Sequence, residues 1–287
     1  PETQQFHRPV ALDELLRLLA SDPKARLVAG ATEIGVEINK LFREYPFLIS
    51  TETVPELQDI HASEGWWEIG GGVTLTRIEE SLAGEYPALQ QMLTLFASRQ
   101  IRNRATLGGN LATASPIGDS APVLLALDAE VVLRSREKER TLPLSAFFLD
   151  YRKTALQPGE ILLRIRIPRS PAATTSSVFW KVSKRREMDI SIVAAAFHVE
   201  MENAVVRKAR LAFGGVAATP SRVPAAEETL CGQSLEEARE AVGAILAQTF
   251  TPLSDARGSA AYRSALVVSL WEKFVSGETS ALHDESV

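Results

Sequence analysis

The spacing of apolar residues in the first fifty positions predicts helices separated by short strands. Residues 10–20 (VALDELLRLLA) place their leucines largely on one helical face, and this helix is expected to end at Ser21-Asp22-Pro23. The run ARLVA (25–29) predicts a short buried strand that leads into Gly30, and a helix is expected over 32–42. A strand, a glycine turn and a helix in this order favour the binding of an anion.

Between residues 48 and 168 the pattern alternates between short strands and helices. A charged turn, REKE, separates the two strands of a hairpin over 129–144, and a small meander is expected over 57–75. Strands are predicted over 48–50, 57–60, 66–69, 73–75, 129–135, 140–144 and 161–167, and helices over 78–82, 86–96 and the apolar end of 115–126.

The second half of the chain predicts a separate α+β domain. The run SPAATTSS (170–177) has no periodicity and is interpreted as a linker. After it, strands are predicted over 178–182, 191–200 and 205–213, and long helices over 234–249 and 259–274. Strands followed by helices indicate an α+β domain with a three-stranded sheet. The expected units are domains over 1–172 and 176–280 and a polar tail over 281–287.

Composition limits the classes of function. The 287 residues, 45% of them apolar, suit about two globular domains. The net charge of −5 disfavours a nucleic-acid partner, and no apolar run approaches the roughly 18 residues of a membrane span. Cys231, the single cysteine, excludes a disulfide framework and a four-cysteine iron–sulfur cluster made by this chain alone, and favours a cytoplasmic protein. The histidines are too scattered to predict a metal site: His7, His61, His198 and His283.

Two glycine-rich segments are the strongest candidates for a ligand site. They are VAGATEIG (28–35) and ATLGGNLATASPIGD (105–119), where glycine allows close backbone approach and leaves N–H donors available to phosphate. The alternative is that each segment is a tight turn between packed elements. Val36-Glu37 stands where a P-loop requires Lys-Ser/Thr, and Val73-Thr74-Leu75 breaks a dinucleotide fingerprint after the glycines at 70–72. These segments therefore indicate a phosphate-bearing cofactor outside the P-loop and Rossmann classes.

These and other segments carry a resemblance to a known family. VAGATEIG and QIRNRATLGGNLATASPIGD resemble the FAD-binding portion of the molybdenum hydroxylases, most closely bacterial xanthine dehydrogenase small subunits. The resemblance extends over nearly the whole chain through FFLDYRK (147–153), PGEILL (158–163), KVSKRREMDIS (181–191), LAFGG (211–215) and FTPLSDARGSAAYR (250–263). It implies an α+β fold in which a flavin domain of the vanillyl-alcohol-oxidase/PCMH type holds extended FAD between two subdomains. A smaller C-terminal α+β domain would follow.

The resemblance also implies which residues hold FAD. The first glycine segment would cradle the diphosphate with main-chain amides, the second would contact the cofactor, and Phe96 would lie near the isoalloxazine ring. The implied cofactor-binding residues are Val28, Ala29, Gly30, Ala31, Thr32, Glu33, Ile34, Phe96, Thr106, Gly109, Asn110, Thr113, Gly118, Asp119, Leu162 and Lys181.

No residue is expected to act as a proton-transfer catalyst, because the cofactor supplies the redox chemistry. The candidates for the reacting face of the flavin are Phe96, Glu33, Tyr151 and Asp189. From the residues alone, Phe96 also fits a core position, and Glu33 and Asp119 also fit solvated loop acids.

The basic run KVSKRR (181–186) either offsets the charge of the cofactor or forms a solvated face. Met188 is a departure, since some relatives have an acid next to the residue that matches Asp189. A charge switch between dehydrogenase and oxidase forms is therefore not extended to this chain.

In the resembled enzymes a molybdenum centre hydroxylates a purine, electrons pass through two [2Fe–2S] clusters to FAD, and FAD passes a hydride to NAD+. This chain resembles only the flavin part. The expected partners are an iron–sulfur domain and a molybdenum-cofactor subunit, the former upstream in the same full-length chain because the sequence begins at Pro1. Two alternatives stay open. One is the flavin subunit of a carbon monoxide dehydrogenase or aldehyde oxidoreductase type, whose acceptor is a quinone or oxygen; the other is a flavin-free scaffold.

Overall fold

The structure is a computed structural model that describes residues 4–169 and 175–277. Its N-terminal part contains the strands β1 (Gln5–His7), β2 (Arg26–Val28) and β3 (Phe47–Ser50) and the helices α1 (Leu12–Ser21) and α2 (Ile34–Leu41). The strands form a parallel sheet in the order β1-β3-β2. Leu15 and Leu16 of α1 pack with Phe47 and Ile49 of β3 in one apolar cluster, which confirms the amphipathic helix predicted over 10–20.

The middle of the chain adds an antiparallel sheet and a set of short helices. The sheet strands are β4 (Ile60–Ser63), β5 (Trp66–Gly70), β6 (Glu130–Arg134), β7 (Glu139–Pro143) and β10 (Ile161–Pro168), and a separate hairpin contains β8 (Phe148–Asp150) and β9 (Lys153–Thr154). The sheet order is β4-β5-β10-β6-β7. The helices are α3 (Pro55–Gln58), α4 (Leu75–Ser81), α5 (Pro87–Leu95), α6 (Arg99–Arg102), α7 (Leu107–Ala112) and α8 (Ser120–Ala126).

Two parts of the predicted meander over 57–75 are wrong. Pro55 occupies the first turn of α3, where its missing N–H costs nothing, so the strand begins only at Ile60. No strand forms over 73–75, because the hydroxyl of Thr74 accepts the N–H of Arg77 and caps α4.

The C-terminal part is a sheet covered by helices, as predicted, but the sheet has four strands rather than three. The elements are β11 (Thr175–Val182), β12 (Val193–Glu202), β13 (Val205–Gly214), β14 (Ser221–Arg222), α9 (Pro224–Leu230), α10 (Leu235–Thr249) and α11 (Ala260–Val275). The fourth strand, β14, lies at the edge of the sheet, whose order is β11-β12-β13-β14. It has only two residues, too few for an alternation of apolar and polar positions to be visible in the sequence.

The predicted linker over 170–177 is only partly a linker. Thr175, Ser176 and Ser177 belong to β11, because they continue its antiparallel ladder with β12. Residues 170–174 lie outside the described residues, as do 278–280 and the expected tail over 281–287.

The C-terminal sheet is buried on both faces. On one face Phe197 and Phe213 pack edge to face with each other, and Phe197 packs in the same way against Phe274 of α11. On the other face Ala194, Ala196 and Ala212 join the apolar cluster that contains α5 and α8. The sheet therefore completes the core of the preceding part of the chain as well as its own.

Helix α8 connects the two parts most closely. All of its residues are buried, and a carboxylate lies just beyond each of its ends. Before the helix, Asp119 Oδ2 lies 2.6 Å from Nζ of Lys181 on β11. After the helix, Asp128 accepts hydrogen bonds from Arg210 Nε at 2.6 Å and Arg222 Nη1 at 2.8 Å. Ion pairs thus fix both ends of α8 to the C-terminal sheet.

None of the helices in the described ranges, 4–169 and 175–277, is both long and apolar enough to cross a bilayer.

Replacing Asp128 with asparagine should destabilise the protein, because three cations would lose their shared carboxylate. Lys208, Arg210 and Arg222 all contact it. We expect the free energy of unfolding in urea to fall by about 3 kcal/mol, the low end for breaking a buried ion pair, because Asp128 is partly exposed. Asp150→Asn is the matched control, since Asp150 is exposed and its contacts are the pair with Lys153 and the N–H of Tyr151, so little change is expected.

The effect of Asp128→Asn should also depend on pH. Burial opposes ionisation of Asp128, but the hydrogen bonds from Arg210 and Lys208 outweigh it and lower its pKa. Its contribution is therefore present above the unfolded pKa of about 3.9 and is lost as pH falls through the folded value. A stability difference between wild type and Asp128→Asn that grew toward acid pH would contradict this assignment.

Candidate functional site

A cavity of about 800 Å³ lies where the parts of the chain meet, a volume typical of ligand sites. Its wall contains residues 29–34 after β2, the segments around α7, the β8-β9 hairpin, β10 and residues of the C-terminal part from Lys181 to Ser191. Among the residues that the structure describes, no three His, Cys, Asp or Glu side chains are grouped as metal ligands. The chemistry of the wall is that of backbone amides, hydroxyls and a few charges.

The first glycine segment presents a row of free amides to the cavity. Within the described part of the chain, no N–H of residues 29–34 donates to a protein acceptor, whereas Gly35 N–H bonds to the carbonyl of Ala31 at 2.8 Å. Ala31 has a left-handed backbone, with φ of 61°, as expected where successive amides point into one concavity. The positive end of α2 lies at the same point. Free amides at a helix N-terminus have the chemistry that suits an anion such as a phosphate.

Close backbone packing holds this segment in place. A Cβ on Gly30 would overlap the carbonyl oxygen of Arg104, so only glycine allows the two segments to approach. On the other side, Thr51 N–H donates to Val28 O at 2.9 Å. The helix that follows is anchored by its buried carboxylate, Glu37, which accepts a hydrogen bond from Arg43 at 2.7 Å.

The second glycine segment forms α7 and the turn before α8. Thr106 caps α7 by accepting the N–H of Gly109 at 3.1 Å, and the hydroxyl of Thr113 donates to Gly109 O at 3.0 Å. Asn110 Oδ1 accepts the hydroxyl of Ser120 at the start of α8. A Cβ on Gly108 would crowd the backbone of Gly71, so this glycine also permits a close approach.

Asp119 does not lie in solvent, which excludes the reading of a solvated loop acid. It is 6% exposed, and its two oxygens contact Lys181 Nζ and the hydroxyl of Ser191. Lys181 Nζ also donates to the carbonyl of Leu95 at 3.4 Å. The charges of this pair compensate each other inside the cavity wall.

The mouth of the cavity carries charged side chains. Glu33 Oε1 lies 3.4 Å from Nη1 of Arg152, at the tip of the β8-β9 hairpin, and both side chains are nearly half exposed. Asp189 accepts the N–H groups of Arg185 at 2.8 Å and Ile190 at 2.9 Å, and these bonds lower its pKa. Phe96 packs partly against the core and also lines the cavity, so both of the positions considered for it from the sequence hold at once.

The structure brings together most of the residues that the sequence predicts for FAD. All of the implied cofactor-binding residues line the cavity except Val28, which lies in β2 behind the free amides. Asp189 also lines it, whereas Tyr151 is exposed and lies outside the wall. The sequence missed several wall residues with useful chemistry: Thr51, Gly71, Gly72, Arg152, Thr154 and Ser191.

These features fit FAD. Free amides suit a diphosphate, Phe96, Ile101 and Leu162 give apolar surface to ring systems, and hydroxyl and amide groups suit ribityl and ribose oxygens. The fold and the cavity therefore define a flavoprotein with one cofactor site shared between two parts of the chain.

Comparison with known proteins gives the family. Residues 2–170 match the family described as FAD binding domain in molybdopterin dehydrogenase, and residues 178–277 match the CO dehydrogenase flavoprotein C-terminal domain. The chain is 32% identical over 280 residues to the xanthine dehydrogenase FAD-binding subunit of Escherichia coli O157:H7, with 96% of each chain covered. It is 36% identical over 306 residues to the xanthine dehydrogenase of Drosophila subobscura, covering 100% of this chain but only 23% of the fly protein.

Solved structures agree with this assignment. The carbon monoxide dehydrogenase from Hydrogenophaga pseudoflava superposes with a TM-score of 0.90 at 28% identity, covering 95% of this chain and 96% of that one. The quinoline 2-oxidoreductase from Pseudomonas putida 86 gives a TM-score of 0.88 at 27% identity, with 96% of each chain covered. The chain belongs to the FAD-binding flavoprotein family of the molybdenum hydroxylases, and FAD is its cofactor.

Gly30→Ala should weaken FAD binding, because the new methyl group would push the free amides of residues 29–34 away from the carbonyl of Arg104. We expect the FAD dissociation constant to rise at least tenfold, or by about 1.4 kcal/mol. The measurement is quenching of flavin fluorescence on titration of the purified chain.

Gly35→Ala is the matched control, since a Cβ at Gly35 would meet nothing within 4 Å. This variant should bind FAD like wild type. Equal affinity in folded Gly30→Ala and Gly35→Ala proteins would place the diphosphate elsewhere.

Proposed function

We propose that this chain is the FAD-binding electron-transfer part of a xanthine dehydrogenase-type molybdenum hydroxylase. It would take electrons from the [2Fe–2S] clusters of an iron–sulfur portion and pass them to NAD+. The observation that carries the proposal is the row of free amides at residues 29–34, which opens on a cavity in a chain of this family. A protein that served only as a scaffold would have no use for such a surface.

The residues of the chain bind and orient the cofactor. The amides of residues 29–34 would hold the diphosphate, and Asn110 and the backbone around Gly118 would hold the adjoining polar parts. Phe96 and Leu162 would cover apolar ring surface and exclude water from it. Bound FAD supplies the chemistry of hydride and single-electron transfer.

The charged groups at the mouth would receive the nicotinamide substrate. Glu33 and Asp189 offer carboxylate oxygens to amide or ribose N–H and O–H donors, and the lowered pKa of Asp189 keeps it an acceptor at neutral pH. Arg152 would offset the negative charge of Glu33 where a second diphosphate must approach. Tyr151, exposed beside Arg152, is the group that could move over the entering ligand.

The chain spans about a fifth of the length of the fly and fungal relatives that it matches, so the whole enzyme is a wider proposal. We infer an iron–sulfur domain and a molybdenum-cofactor subunit as partners, a purine as the molecule hydroxylated there, and a cytoplasmic location. The domain limits proposed from the sequence, 1–172 and 176–280 with a tail over 281–287, are compatible with the two family matches.

A second candidate is the flavin subunit of a hydroxylase with a different acceptor. The structural similarity to a carbon monoxide dehydrogenase and a quinoline oxidoreductase favours it. In that case the same FAD site would serve a quinone or oxygen.

Reduction by NADH separates the two candidates. The chain is loaded with FAD, freed of excess cofactor and mixed with NADH without oxygen. We expect the visible flavin absorbance to bleach as the cofactor is reduced. A chain that retains FAD and is bleached by dithionite but not by NADH would favour the second candidate, and a chain that retains no FAD would overturn both.

Asp189→Ala should slow NADH reduction by about tenfold while FAD affinity changes less than about twofold, because Asp189 lies at the mouth of the cavity. Stopped-flow absorbance gives the rate, and the fluorescence titration gives the affinity. Asp255→Ala is unsuitable as a control, because Asp255 is held by structural hydrogen bonds. Burial would raise its pKa, but the N–H groups of Arg257 and Gly258 and the Arg263 guanidinium lower it to about 2. Removing this carboxylate would therefore disturb the fold. Asp59→Ala, at an exposed position outside the cavity wall, is the control, and equal losses of rate and affinity in Asp189→Ala would indicate a structural role.

A further inference from the structure

The contacts of Asp119 differ from those expected of a cofactor ligand. Its carboxylate is 6% exposed, and each oxygen already accepts a hydrogen bond, one from Lys181 and one from Ser191. Although Asp119 precedes α8, its side chain does not cap the helix. The group is directed at the C-terminal part of the chain.

Lys181 is the member of this group with a donor left over. Its side chain is only 4% exposed, yet the residue lines the cavity. An ammonium has three N–H donors, of which one bonds to Asp119 at 2.6 Å and one to the carbonyl of Leu95 at 3.4 Å. Among the described residues the third N–H has no acceptor, and Lys181 lines the cavity, so this donor is the one we assign to a ligand there.

We propose that Asp119 is a positioning residue that acts on the flavin through Lys181, with Ser191 fixing the carboxylate from the segment just before β12. The inference rests on the proposed function, since it requires FAD in the cavity. Its consequence is electrostatic. The buried pair would place the Lys181 cation beside the cofactor, while Asp119 compensates the charge of Lys181. The field at the flavin would then be that of a dipole rather than that of a net charge.

The reduction potential of bound FAD tests this arrangement. Reduction adds negative charge to the flavin, so an uncompensated cation nearby raises its midpoint potential and an uncompensated anion lowers it. Asp119→Asn leaves the ammonium unpaired and should shift the potential upward. Lys181→Met leaves the carboxylate unpaired and should shift it downward, and the double variant should return close to the wild-type value because the pair is removed as a unit.

Thermal unfolding and a control variant separate an effect on the flavin potential from an effect on folding. Thermal unfolding should show both single variants to be less stable than the double variant, since each leaves one buried charge without a partner. Asp128→Asn is the matched control: Asp128 binds cations at the other end of α8 but does not line the cavity, so it should lower stability without moving the potential.

The outcomes are distinct. Potential shifts of opposite sign in the two single variants, with recovery in the double variant, support the proposal. Unchanged potentials, or shifts in the same direction with no recovery, would reduce Asp119 and Lys181 to structural residues. If an Asp119→Asn chain fails to fold, Ser191→Ala is the substitute variant. It removes one hydrogen-bond donor from the Asp119 carboxylate and should shift the potential downward, as Lys181→Met does. Failure of the wild-type chain to bind FAD would instead overturn the proposed function.

Discussion

The attachment of α8 to the C-terminal sheet is the constraint on which the cavity depends. The cavity wall is drawn from both sides of this contact, with the free amides on one side and residues 181–191 on the other. Carboxylates at the two ends of the helix, Asp119 and Asp128, pair with cations of the sheet, and apolar packing fills the space between them. Separating such a pair would leave a buried charge without its partner, so the pairs oppose other arrangements of the two surfaces.

The amino-acid pattern was sufficient for the long elements and failed for several of the short ones. Helices α1, α5, α10 and α11 and the three long strands of the C-terminal sheet, β11, β12 and β13, span enough residues for a period to show, and all of them were predicted within a few residues. β1, α6 and β14 have two to four residues each and carry no period. Their conformation comes from neighbouring strands and side-chain caps, which are tertiary facts that a linear pattern does not contain.

The candidate site shows the same division. Glycine runs and the family resemblance identified the wall residues, because those signals are local in sequence. The pairing of Asp119 with Lys181 joins positions 62 apart, and that of Glu33 with Arg152 joins positions 119 apart. No local pattern indicates such partners. For this reason the sequence alone suggested that Asp119 is a loop acid facing an anionic cofactor. In the fold, Lys181 supplies the cation that compensates its charge.

The small residues of the C-terminal sheet bear on how the chain is synthesised. Ala194, Ala196 and Ala212 are short because α5 and α8 approach that face closely. Both helices leave the ribosome before the sheet does, and the last main strand ends at Gly214. Protein synthesis adds about 5–20 residues per second, so on the order of ten seconds pass between the synthesis of α8 and that of the sheet that covers its apolar surface. During that interval the nascent chain exposes apolar surface of the kind that favours aggregation, and the cofactor cavity has only one of its two walls.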